Sequence, residues 1–195
     1  ASGLLDDHMG GEGVKPYQPK GLWSALMHPA SNTKKYERDS GLKLYRRSLY
    51  VYWKRTSPHP MMTLFDAPSR ESSCVRRSRT NTPLQSLGLL NETQRIEMAR
   101  VLSQRLLQSE PDDRQRIDLL FTLLASRRPS PGEFSICKSL LQEMKSRYAA
   151  APDNANRLLS IGEATLAEGI SPPDLAAWTQ LSSTILASDM AIMMY

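Results

Sequence analysis

The stretch Thr82-Pro83-Leu84-Gln85-Ser86-Leu87-Gly88-Leu89-Leu90-Asn91-Glu92-Thr93-Gln94 decides how the chain divides. First-turn amides of a helix have no intrahelical acceptor. Thr82 supplies a capping hydroxyl, Pro83 a ring pre-set for the first helical position, and Gln85 a side chain that reaches back to the cap. Asn91 with Gln94 repeats the pattern, so the spacing predicts a break and a second helix with Ile96, Ala99, Leu102 and Leu106 on its inner stripe. Further on, Asp112 or Asp113 opens a helix carrying Ile117, Leu120, Phe121 and Leu124, which ends before Pro129 and Pro131. Ser130-Pro131-Gly132-Glu133 is a capping box, followed at helical spacing by Cys137, Leu140, Leu141, Met144 and Tyr148. Ser171-Pro172-Pro173-Asp174 opens the last helix, with Leu175, Trp178, Leu181 and Ile185 on one face. Residues 149–169 are less periodic and read as a linker with a short helical turn. Short connections between amphipathic helices predict a bundle of about four to five helices over 82–195.

Upstream the signals change. Residues 1–40 carry Gly10, Gly11, Gly13, Pro16, Pro19, Gly21 and Pro29, a density few regular elements tolerate, and read as an extended arm pinned by Tyr17, Leu22 and Trp23. Residues 41–81 are rich in arginine and aromatics. The run Leu44–Trp53 has strand-like composition, and Met61–Phe65 after Pro58 and Pro60 is a second strand candidate, which leaves room for a short β-hairpin. The fold class expected is therefore mainly α: a helical bundle packed with an irregular, Gly/Pro-rich N-terminal half, all in one domain over 1–195.

The 195 residues are 40% hydrophobic and 23% charged, enough apolar content for a sizeable core and too much for a disordered tail. No apolar run reaches the roughly 20 residues of a membrane helix. The formal charge of +5 is unevenly placed: Lys43–Arg79 holds nine basic residues against Asp66 and Glu71. Such a segment suits an anionic partner, whether nucleic acid, acidic glycan, haem propionates or an acidic protein face. The competing explanation is that the arginines cap carbonyls and pair with internal carboxylates.

Catalytic templates are missing: there is no GxSxG, GxxxxGK[ST], HExxH or EF-hand loop. His8, His28 and His59 are scattered beside Gly or Pro, and Asp6-Asp7-His8 reads equally as a cation cluster or a turn. Cys74 and Cys137 stand 63 residues apart with no CxxC or CxxCH, so neither covalent haem nor a structural zinc site is expected within the chain. They are either a disulfide pair or, for Cys137, a small buried hydrophobe on an apolar stripe. Asn91-Glu92-Thr93 fits the glycosylation sequon, and its capping position accounts for it as well. The densest polar constellation comprises Arg46, Arg47, Trp53, Lys54, Arg55, Asp66, Arg70, Arg76, Arg77, Arg79, Asn81 and Gln85, and these are the candidate ligand- or partner-binding residues. An inward-pointing arginine needs a partner, and an Arg–Asp66 bidentate pair is the structural expectation.

Four stretches carry a resemblance: Gly10-Gly11-x-Gly13-Val14-Lys15-Pro16-Tyr17-Gln18-Pro19-x-Gly21-Leu22-Trp23; Tyr45-Arg46-Arg47-Ser48-Leu49-Tyr50-x-x-Trp53-Lys54-Arg55-Thr56; Phe65-Asp66-Ala67-Pro68-x-Arg70; and Arg79-Thr80-Asn81-Thr82-Pro83-Leu84-Gln85-x-Leu87. In this order they resemble the family called domain of unknown function 1553, or planctomycete surface domain one. The match runs over essentially the whole chain apart from the tail Ala187–Tyr195, which departs from the family pattern. The resemblance implies the C-terminal part of a larger exported bacterial protein, extracytoplasmic in the periplasm or at the cell surface. Its upstream cytochrome c-like and companion domains would be its partners, with haem c on an upstream domain and no cofactor in this chain. It supplies no reaction and no catalytic residues. The reading taken is an accessory or interaction module that docks partner domains or an anionic ligand, an anionic glycan among them, through the Arg-rich region. The alternative is a redox or carbohydrate-active enzyme unit completed by a partner domain, with Asp66, Arg46, Arg76 and Asn81 lining the site. Nucleic-acid binding is the third and weakest reading.

Overall fold

The computed structural model describes residues 1–26, 28, 30–31 and 34–192; Pro29 and the last three residues of the tail lie outside these. The chain forms two compact units, residues 4–88 and residues 1–3 with 89–195. Its α-helices are α1 (Leu22–Leu26), α2 (Pro60–Leu64), α3 (Pro83–Asn91), α4 (Thr93–Ser109), α5 (Asp113–Ala125), α6 (Pro131–Ala150), α7 (Pro152–Leu159), α8 (Pro172–Leu186) and α9 (Asp189–Ile192). None of the described helices is long and apolar enough to cross a membrane.

The second unit is the predicted bundle. Helix α8 lies at its centre: Leu175, Ala176, Ala177, Trp178, Thr179, Leu181, Ser182, Ser183 and Ile185 are all buried, and a helix apolar or small nearly all round is one enclosed by neighbours. Helices α4, α6 and α7 pack against it. They contribute Leu102 and Leu106, Leu141 and Met144, and Ala155 and Leu159, while α5 adds Ile117, Leu120 and Phe121. Small residues let α4 approach α8 closely, and the Ser103 and Ser182 hydroxyls meet at 2.9 Å. Cys137 is buried in this core and Cys74 is exposed; both thiols are free. Burial raises the Cys137 thiol above its ordinary value.

Helix starts follow the chemistry of their caps. Ser130 and Glu133 form the full capping box, and Asp112 accepts from the amides of Arg114 and Gln115. The α4 cap is Glu92 rather than Asn91: its carboxylate accepts from the Arg95 amide, three residues on, so both the cap and its donor lie one residue later than the sequence suggested. Residues 149–169 contain a genuine helix, α7, and then a loop stitched to α4. There Glu97 accepts from the Ala164 amide, Arg100 donates to the Ala164 carbonyl and Gln104 accepts from the Ala167 amide. These three side chains, spaced i, i+3 and i+7, form one buried polar stripe that meets the loop's backbone groups.

The first unit differs from expectation. No strand or hairpin occurs among the described residues; only isolated parallel bridges join Asp6 to Arg46 and Val14 to Val51. Leu44–Trp53 instead takes in the end of one short 3₁₀ turn, Gly41–Tyr45, and the whole of another, Ser48–Tyr50. The reason is visible in burial and bonding. Leu44 and Tyr45 are adjacent and both buried, which a strand of period two does not allow. The amides of Tyr50 and Val51 bond back to Arg47 and Ser48, closing turns instead of a ladder. Met61–Phe65 falls mostly within α2, because Pro60 at the first helical position seeds a turn.

Candidate functional site

All twelve candidate residues lie in the unit formed by residues 4–88, and the structure sorts them by what each touches. Arg46 is a keystone. Its side chain is 6% exposed, its Nη2 donates to the carbonyls of His8 (2.8 Å) and Gly10 (2.6 Å), and its guanidinium lies 3.9 Å from the Tyr50 ring centroid. Asp6 Oδ2 stands 3.8 Å from its Nε. The Tyr50 hydroxyl accepts from the Gly10 amide at 2.9 Å. Gly10 and Gly11 have φ of +88° and +85°, a region where a side chain is strained, so the glycines allow residues 8–11 to wrap as a strap over Arg46 and Tyr50.

Lys54 and Trp53 are also structural. The Lys54 amine sits 3.9 Å over the Trp23 ring, and desolvation holds it below the usual lysine range. Trp23 in turn meets Tyr36 edge-on at 4.9 Å. Arg70 lies 4.8 Å from the Trp53 ring centroid, and Arg55 grips Glu71 with two bonds of 2.6 Å. That fork is the bidentate pair of this region; the pair expected at Asp66 does not form. Asp66 Oδ2 instead accepts from the Thr80 amide (2.8 Å) and hydroxyl (2.7 Å). Gln85, buried, donates to the Thr80 hydroxyl and to the Leu64 carbonyl, and its Oε1 takes the Thr82 amide. Asp66, Thr80 and Gln85 therefore tie the neck of a loop running over residues 67–79.

The remaining cations face water. Arg47, Arg76, Arg77 and Arg79 are exposed, and their side chains make no hydrogen bond or ion pair with any described residue. Asn81 is exposed beside them. The loop encloses an open cleft of about 410 Å³ bordered by Ser69, Ser72, Ser73, Cys74 and Arg76 among others. No group of three or more metal-ligating side chains occurs among the described residues. Sequence reasoning missed Asp6 and the strap carbonyls as partners of Arg46, and Thr80 as the partner of Asp66. Carbonyl acceptors carry no side-chain signal; the Thr80 hydroxyl, inside the last motif, did.

What the fold and this surface define is a mainly helical module with a cation-bearing loop tied at its neck. A model of the family described as PSD1, Protein of unknown function (DUF1553), matches residues 1–141, and the chain belongs to that family. All four motif stretches and all twelve candidate residues fall inside the matched segment, which ends within α6. No curated protein matches the chain, and no solved structure does.

Proposed function

We propose that this chain is an accessory interaction module whose loop arginines dock an acidic face of a partner. The observation that carries the reading is the contrast among the cations of one short segment. Arg46, Lys54, Arg55 and Arg70 are engaged by carbonyls, rings or Glu71, whereas Arg47, Arg76, Arg77 and Arg79 are held out in solvent with no described partner. Exposed guanidiniums, three of them on the closed loop, steer and orient a carboxylate-bearing partner. The family likeness supports a place in an exported, extracytoplasmic multidomain protein, with the cytochrome c-like and companion domains as docking partners and haem c on the former. The enzyme alternative finds less support, since Asp66 serves Thr80 at the loop neck.

Calorimetry of the chain against that cytochrome c-like region, at about 50 and about 300 mM salt, tests the reading. Affinity should fall roughly tenfold or more with salt and vanish in R47A/R76A/R77A/R79A, whose melting temperature stays that of the parent. No binding at either salt concentration would refute docking.

A further inference from the structure

The loop and the helix it enters display more than charge. Val75 is fully exposed between Cys74 and Arg76, and on α3 Leu84 and Leu87 are 61% and 57% exposed. Their exposure follows from which face of α3 is pressed inward. Gln85 and Leu89 are buried, and Gly88 lies so close to Leu64 that a side-chain carbon there would run into it. Leu84 and Leu87, one turn apart, are thereby turned away from the core. Thr80 is tied both to Asp66 and to Gln85, so Arg79 and the first turn of α3 hang from one fixed neck. Thirteen consecutive residues, 75–87, thus present three aliphatic side chains and the cations Arg76, Arg77 and Arg79.

We infer that the loop's partner is an acidic polypeptide segment carrying aliphatic anchors. The inference rests on the docking reading above and narrows it. Carboxylates on that segment pair with the guanidiniums, and its aliphatic side chains, at helical spacing, cover Leu84 and Leu87. A sulfated glycan or a nucleic acid matches the charge but leaves Val75, Leu84 and Leu87 in water. Sugars and bases are also held on aromatic platforms, and residues 75–87 contain no aromatic residue. Exposed aliphatic side chains beside cations are the complement of an acidic amphipathic peptide.

The test is selection of binders from a random peptide library on the whole folded chain, with heparin as a second probe. Enriched peptides should combine Asp or Glu with Leu, Ile or Val at i, i+3 or i+4 spacing. A selected peptide, followed by fluorescence anisotropy, should lose roughly tenfold or more in affinity to V75S/L84S/L87S and to R76A/R77A/R79A. Heparin retention should fall only in the arginine variant. Val75, Leu84 and Leu87 are more than half exposed, and the Arg76, Arg77 and Arg79 side chains bond to no described residue, so each variant should keep the parent's circular dichroism and melting temperature. Acidic peptides with no aliphatic preference, or binding indifferent to V75S/L84S/L87S, overturn this inference while docking stands. No acidic enrichment together with no heparin retention removes the docking reading as well.

Discussion

In the helical unit the largest fully buried side chain is Trp178, an apolar ring surrounded by helices; in residues 4–88 the side chain with the most directed contacts is Arg46, a cation held by carbonyls and a tyrosine face. The first arrangement draws on area removed from water and tolerates variation so long as volume is filled. The second depends on directed contacts that few other residues can make, because a planar fork that stacks and donates to two carbonyls at once is particular to arginine. Residues 4–88 bury few large apolar side chains, chiefly Val14, Trp23, Leu44 and Tyr45, and rely on cation–ring and side-chain-to-backbone contacts for the rest. The comparison also separates two uses of one residue type. Within nine basic residues, those bound internally shape the unit and those left in solvent are available to another molecule.

The largest effect expected is that of Trp178→Ala, which should cost about 3–5 kcal/mol by leaving a cavity at the centre of the bundle. Urea unfolding followed by circular dichroism measures it. Hydrogen exchange on the same variant sharpens the contrast: protection should fall in α4 through α8 and persist over residues 4–88. Equal loss in both would show a single cooperative block instead. Arg46→Ala comes next, at about 3 kcal/mol, because it removes donors to two carbonyls and the partner of Asp6. Arg46→Lys should recover little, since an ammonium cannot reproduce the fork, and proteolysis should open the strap at residues 8–11 in both variants. Full recovery by lysine would reduce the keystone to a simple charge.

The smallest effect is a pH dependence in the bundle. The Arg127 guanidinium, and then the Ser130 amide, pull the Glu133 carboxyl down to about 2 from its ordinary 4.5. A depressed folded-state value stabilises the native form above the unfolded value and is lost as the pH falls through the folded one. Stability from this cap should therefore decline between about pH 4.5 and 2. Glu133 is about a third exposed, so screening limits the term to about 1 kcal/mol or less. Glu133→Gln should lack that increment at pH 6 and match the parent near pH 2. A constant difference across the range would assign the effect to helix packing.

The helices were legible because their ends are written in side chains: Thr82 with Gln85, Asp112, and Ser130 with Glu133 cap where they stand. Residues 44–53 were not, because enrichment in aromatics marks any half-buried backbone, and the turns at Tyr50 and Val51 are set by amides bonding to Arg47 and Ser48. The density of arginine near Arg46 was equally plain, but not its division of labour. Whether an arginine is internal depends on carbonyls such as those of His8 and Gly10, 38 and 36 residues away and silent in the sequence. Arg76, Arg77 and Arg79 look no different on the page from Arg55, whose partner Glu71 is only sixteen residues on.

The match to the family ends at residue 141, part-way along α6, and the whole of α8 lies beyond it. A chain trimmed to that border would lose the end of α6, all of α7, and α8, the helix against which α4 is laid. Ala99, Leu102 and Leu106 would then be wetted, an apolar face that favours aggregation. The boundary that matters for expression lies past α9, whose Met190 packs against the core, and not at the last residue of the likeness. What is inherited as wording and what is needed as a foundation have different edges here.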